Sequence, residues 1–226
     1  METAQNGDFI ALRYSGYANG ELFDSNEPEN LKKIKPDAEA RELIIVAGKG
    51  MVVPGLDRAL AGKEIGKQQE IHIKAIDGFG ERRRELVKTI PLKVFTEKRI
   101  SPYPGLVLAM DDMVAKVLAV SGARVITDFN NQLAGKELKY TFTIVRKVTD
   151  EKEKAEALFL FTFHIVPDFS IGEKITVKGP KIIETYVRGF SGVFKEMIGK
   201  ELAFELKEKK EEAQQETTAA PSGHEH

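Results

Sequence analysis

Tyr14, Phe23 and Asp24 are spaced to meet across a single hairpin. Asn19-Gly20, between them, is a favoured two-residue turn, so the strands on either side would fold back and bring a phenol, a ring and a carboxylate together. A second segment, Gly48-Lys49-Gly50-Met51-Val52-Val53-Pro54-Gly55-Leu56, ends a strand and opens a helix. Pro54 suits a first helical turn, Leu56, Ala59 and Leu60 share one face, and Gly62 is a stop. Val52, Val53 and Leu56 therefore stand at a strand-to-helix corner. The two segments read as wall and floor of one small apolar pocket holding one carboxylate. Singly, each apolar residue reads as core and Asp24 as a turn carboxylate; only their joint pattern argues for a pocket.

The elements that must position these residues follow from hydrophobic patterning. Residues 8–15 alternate as a strand, 43–47 are a β-branched apolar run, and 70–76 alternate up to a turn at Asp77-Gly78, with a helix over 54–61 lying across them. Between Gly80 and Leu133 the chain makes an excursion with its own strand signals at 106–110, 114–120 and 124–128. A structureless loop of that length is improbable, and 139–148 then reads as a strand returning to the first sheet. Asp150 to Glu156 is a charged linker or helix start, and the apolar run 157–166 opens a second core. In it, 175–177 and 182–187 read as strands, 193–198 as a short helix and 202–206 as a final strand. From Lys207 the composition loses its apolar period, so 208–226 is expected to be a disordered tail.

A chain of 226 residues fits two or three compact units. Lys plus Arg number 34 and Asp plus Glu 35, a net charge of −1, so no global field recruits nucleic acid or an anionic membrane. With no cysteine there is no disulfide framework and no thiol nucleophile, which suits a reducing cytosol. The first twenty residues lack a signal pattern and no apolar run approaches a bilayer span. The expectation is a soluble, cytoplasmic protein. Gly55 to Lys63 superficially matches a phosphate loop, but its spacing is wrong and Glu64 stands where a hydroxyl is needed. Arg82-Arg83-Arg84 reads as a solvated turn, and the pair His224-x-His226 is too small for a dedicated metal site, so neither metal nor cofactor is expected.

In the order Tyr14, Phe23-Asp24, Gly48-x-Gly50-x-Val52-Val53-x-Gly55-Leu56-x-x-Ala59-Leu60, Asp77-Gly78-Phe79-Gly80, Glu85-Leu86-Val87, Asn130 to Lys136 and Leu138-x-Tyr140-x-Phe142, the chain resembles the FKBP-type peptidyl-prolyl isomerases. Within them it is similar to the SlyD-like subgroup, with a domain inserted in the flap, and to the long archaeal members with an extra C-terminal domain. The resemblance covers about residues 1 to 148. It implies an α+β fold: an FKBP-like antiparallel sheet wrapped on a short helix (1–86 and 130–148), a small β-rich insert (87–129) and a C-terminal α+β domain (149–207).

The resemblance also implies the chemistry. Rotation about a peptide bond faces a barrier of ~18–20 kcal/mol, and no nucleophile or metal is needed to lower it. A dry site complementary to the twisted amide suffices, and ~4 kcal/mol gives about a thousandfold acceleration. By similarity, Tyr14, Phe23, Asp24, Val52, Val53, Leu56, Phe79 and Tyr140 line that site, with Leu43 and Leu133 as further substrate contacts. Asp24 is expected to hydrogen-bond Tyr14 and polarise the pocket. Two departures stand out. Many members carry a tyrosine at Phe79 and many single-domain members a tryptophan at Leu56, so weak binding of macrolide inhibitors such as FK506 is expected. The insert of similar proteins binds unfolded clients, and Leu106, Leu108, Met110 and Met113 are its candidate contacts here. Expected partners are unfolded or proline-containing polypeptides, without nucleic acid or membrane, and a homodimer through the C-terminal domain is possible. The competing reading is a catalytically weak holdase or adaptor that binds apolar peptide segments.

Overall fold

A computed structural model describes residues 2–207. The chain divides into two compact units, one ending at Phe161 and one starting at Thr162. In chain order the first unit holds β1 (Phe9–Ala18), β2 (Glu21–Ser25), α1 (Pro28–Ile34), β3 (Leu43–Val46), α2 (Pro54–Leu60), β4 (Gln68–Ile73), β5 (Val87–Pro91), α3 (Leu92–Glu97), β6 (Val107–Met110), β7 (Met113–Ser121), β8 (Arg124–Asp128) and β9 (Leu138–Lys147). α4 (Glu151–Phe163) carries the boundary. The second unit follows with β10 (Asp168–Ile171), β11 (Ile175–Gly179), α5 (Glu184–Ile198) and β12 (Leu202–Leu206).

The first sheet runs β2-β1-β9-β4, with β3 on the same edge of β1 as β2. β1 is long enough to serve both: Phe9–Leu12 pair with Val46–Leu43, and Ser15–Ala18 with Ser25–Glu21, all antiparallel. Asn19 (φ 52°) and Gly20 (φ 83°) close the β1–β2 hairpin as the two left-handed residues of a tight turn. Along β9, Leu138, Tyr140, Phe142 and Ile144 are buried in strict alternation, so one face of the sheet is core. α2 lies on that face and buries Leu56 and Leu60 among Ile10, Leu12, Ile45 and Leu138. The sheet wrapped on a short helix is thus present, with strands interrupted in sequence by the insert.

The insert builds its own antiparallel sheet, β5-β8-β7-β6, over Phe95, Ala115, Val117 and Val125. Asp111 and Asp112 (φ 50° and 61°) close the β6–β7 hairpin, a conformation short Asp side chains tolerate. Its entry and exit strands are zipped together. Gly135 N–H donates to Gly80 O (2.8 Å) and Phe129 N–H to Leu86 O (2.9 Å). The Asn130 amide accepts from Arg83 N–H and donates to Arg83 O, both at 2.9 Å. The Arg82 guanidinium donates to Asp128. Arg82, Arg83 and Arg84 are exposed, as the solvated-turn reading expected, and Arg82 and the Arg83 backbone in addition clamp the base of the insert.

The second unit is a three-stranded sheet, β10-β11-β12, with β10–β11 antiparallel and β11–β12 parallel, so α5 is the crossover that a parallel pair requires. Residues 182–187, expected as a strand, instead form a short 3-10 turn and the start of α5. Val187, Phe194 and Ile198 recur at helical spacing, but Gly189 and Gly192 weaken the signal, and the expected short helix at 193–198 is only its last turn and a half. The expected helix start at 150–156 is present, and the helix continues through the apolar run to Phe163. The expected disordered tail and His224–His226 lie outside the described residues.

Candidate active site

The hairpin and the corner do converge. The Tyr14 hydroxyl donates to Asp24 Oδ2 at 2.6 Å, and Asp24 Oδ1 accepts from Ser25 N–H at 3.0 Å. Tyr14 and Tyr140 lie 6.1 Å apart between ring centroids. Phe23 meets both Phe79 and Tyr140 edge-on at 5.9 Å, the arrangement that aromatic quadrupoles favour. Gly16 makes this closure possible: a Cβ there would come within 2.8 Å of the Phe23 ring and 2.9 Å of Tyr140. Val52 and Val53 pack half-buried against the same core, and Leu56 is buried beneath. The result is an aromatic cup with few polar groups, of which Tyr14 and Asp24 engage each other.

Burial drives the Tyr14 hydroxyl well above the ordinary phenolic range, and the hydrogen bond and charge of Asp24 push it further. Tyr140 is pushed up to about 12, again by burial first and then by the Asp24 charge. Both phenols therefore stay protonated at neutral pH. The Tyr14 proton is committed to Asp24, and Phe79 has no hydroxyl. The Tyr140 hydroxyl makes no hydrogen bond among the described residues, so it is the uncommitted donor of the cup.

Two polar anchors that sequence reading missed shape these walls. Asp57, buried in the first turns of α2, accepts from Gly48 N–H (2.9 Å) and Gly50 N–H (2.8 Å), fixing the loop that leads to Val52 and Val53. Asn26 accepts from Tyr14 N–H (2.6 Å) and donates to Leu12 O (2.8 Å) and Arg41 O (3.0 Å), stapling the chain after β2 onto β1. An Asp three residues after a helix-opening proline was the available signal for the first; nothing local marked the second.

The other candidates divide. Leu133 and Met113 line a groove of about 550 Å³ together with Phe23, Val114 and Asn130–Gln132, so the tip of the β6–β7 hairpin borders the aromatic cup. Leu43 packs on the barrel core and lines a separate apolar cavity of about 250 Å³ with Met51 and α4 side chains. Met110 is only 4% exposed and is corrected from client contact to core, whereas Leu106 and Leu108 are half-buried against it. The opposite face of the insert sheet exposes Val107, Val114, Leu118, Val120 and Ile126. The apolar run was visible, but its outward side lies one residue out of phase with the expected one.

The sheet-on-helix fold thus brings an aromatic cup and one hydroxyl–carboxylate pair together. Residues 1–95 match the family model described as FKBP-type peptidyl-prolyl cis-trans isomerase, and residues 88–133 match that described as FKBP26, IF domain. The short-type peptidyl-prolyl cis-trans isomerase of Methanocaldococcus jannaschii is 29% identical over 143 residues, 62% of this chain and 91% of that protein. The FKBP-type isomerase SlyD of Escherichia coli K12 is 31% identical over 110 residues, 46% of this chain and 56% of SlyD. SlyD of Treponema pallidum is 30% identical over 116 residues, 47% of this chain and 63% of that protein. The chain thus spans little more than half the length of these SlyD proteins. It carries an FKBP-type peptidyl-prolyl cis-trans isomerase domain with an inserted IF domain.

Proposed function

We propose that this protein accelerates cis/trans isomerisation of X-Pro bonds in unfolded or partly folded polypeptides, and that the insert supplies their first contact. The observation that carries this reading is the cup itself: Tyr14, Phe23, Phe79 and Tyr140 around a single committed carboxylate, over Leu56. A prolyl ring entering it leaves water, and the amide loses the hydration that favours its planar, resonance-stabilised form. Asp24 acts by holding Tyr14 and by its charge, with no proton transferred. Tyr140 supplies the donor to the twisted carbonyl that Phe79 lacks. Val114, Leu118 and Ile126 on the outward insert face, continuous through Met113 with the groove beside Phe23, hold an apolar client segment while its prolines reach the cup.

The test replaces residues 87–129 by a short loop and compares two substrates. A short X-Pro peptide should be turned over as before, and a proline-limited refolding protein far more slowly; equal loss on both would sink the division of labour. The holdase reading draws on the missing hydroxyl at Phe79. It predicts that Asp24→Ala leaves suppression of client aggregation unchanged and that no peptide is isomerised. Self-association through the second unit belongs to the proposal, because the sheet order leaves the outer edge of β12 unpaired among the described residues. A reducing, cytoplasmic setting fits the cysteine-free sequence. Among the described residues no helix is long and apolar enough to cross a membrane.

A further inference from the structure

The arginines at the base of the insert border more than the clamp. One cavity of about 510 Å³ is lined by Arg82, Arg83, Arg84, Val87 and Leu118. A second, of about 250 Å³, runs from Arg82, Leu118 and Lys116 across Asn130–Gln132 to Lys136. They share Arg82 and Leu118, and the second shares Asn130, Asn131 and Gln132 with the groove beside Phe23. The three cavities therefore adjoin through shared walls, as a track from the groove beside Phe23 around the hinge. Its charge is one-sided. Among the described residues Asp128 is the only carboxylate lining either basic cavity, and it is already engaged by Arg82 and Asn130. Arg83 leans on Glu85 at 3.9 Å, whereas Arg84, Lys116 and Lys136 make no ion pair among the described residues.

We propose that this track selects clients carrying acidic residues beside an apolar segment near the proline, with carboxylates meeting Arg84, Lys116 and Lys136 and the apolar side chain on Leu118 and Val87. The inference rests on the reading above that the protein engages unfolded polypeptide. Three uncommitted cations around an apolar floor match an acidic-apolar peptide, and like charge excludes a basic one. A nucleic acid fits less well. No aromatic ring lines the basic cavities for bases to stack on, and the floor is aliphatic.

The test uses the full chain and fluorescent peptides of about fifteen residues, roughly 50 Å when extended. Each carries one Ala-Pro and a leucine-rich segment, flanked on one side or the other by glutamates, by lysines or by neutral residues. Binding is read by anisotropy. The acid-flanked peptide should bind about fivefold or more tightly than the lysine-flanked one at low salt. The preference should vanish at about 1 M salt, where the screening length is about 3 Å. The triple variant Arg84→Glu, Lys116→Glu, Lys136→Glu should reverse it; if that variant does not fold, Lys116→Gln with Lys136→Gln should erase it. Affinities equal within about twofold, a preference that survives high salt or the substitutions, no binding of any peptide, or tighter binding of single-stranded DNA would each overturn the proposal. A wild-type protein that binds with this preference yet fails to accelerate a neutral X-Pro tetrapeptide would contradict the isomerase reading alone.

Discussion

In the proposed mechanism Tyr140 supplies the donor that Phe79 lacks, and the consequence is measurable. With Tyr14 committed to Asp24 at 2.6 Å and no hydroxyl on Phe79, Tyr140→Phe removes the free donor. A hydrogen bond made to the twisted carbonyl is worth about 1–1.5 kcal/mol, so kcat/KM on a short X-Pro peptide should fall about tenfold while the melting temperature barely moves. An unchanged kcat/KM would return Tyr140 to a packing role. The pH dependence follows from the same phenols. Their folded values lie above the ordinary phenolic value of about 10, Tyr140 at about 12 and Tyr14 raised further in the same direction. Groups raised on folding contribute stability that is complete below about pH 10 and is lost as pH climbs through the folded values. Activity should hold flat from neutral pH to about 10, and the melting temperature should fall beyond it. Loss of activity near pH 8 would contradict the assignment.

At the scale of the element, the strand-to-helix corner depends on a carboxylate that touches no substrate. Asp57→Ala leaves the amides of Gly48 and Gly50 without their acceptor at a buried site, which costs about 1–3 kcal/mol. Thermal melts should drop by several degrees. The Val52–Val53 wall should loosen as well, raising KM more than it lowers kcat. Asp57→Asn, which keeps an acceptor oxygen, should recover part of both. Much of the corner was legible: Pro54 opens the helix and Leu56 and Leu60 share its buried face. So was the hairpin, because Asn19-Gly20 carries its own turn chemistry. Asp57 was not, because its partners are backbone amides that no residue type announces. The insert strands were found close to their true bounds, yet Met110 and its neighbours were assigned outward. Alternation gives two faces to a strand without saying which one a core will cover. α5 was hidden by two glycines and by a strand-like run of Ile and Val that tertiary packing overrode.

At the scale of the whole molecule, the proposed function depends on joining the sheet that holds the cup to the insert proposed to meet clients. The joint is specified by residues far apart in sequence: Asn130 grips the Arg83 backbone from 47 positions away, and Arg82 meets Asp128 across a similar span. Such pairs leave no periodic trace, which is why the clamp and the basic cavities beside it stayed invisible until the fold closed the loop. The aromatic cup, in contrast, is assembled from motifs that each lie within about a dozen residues, so the convergence of its side chains was readable from the sequence. The central claim is that this cup isomerises X-Pro bonds without help from the insert. Exchange NMR on a short X-Pro peptide, at rising concentrations of the full chain and of Asp24→Ala, tests it most directly. The exchange rate should climb in proportion to wild-type protein and fall at least about tenfold with the variant. No acceleration by folded wild-type protein, or equal acceleration by Asp24→Ala, would contradict the account.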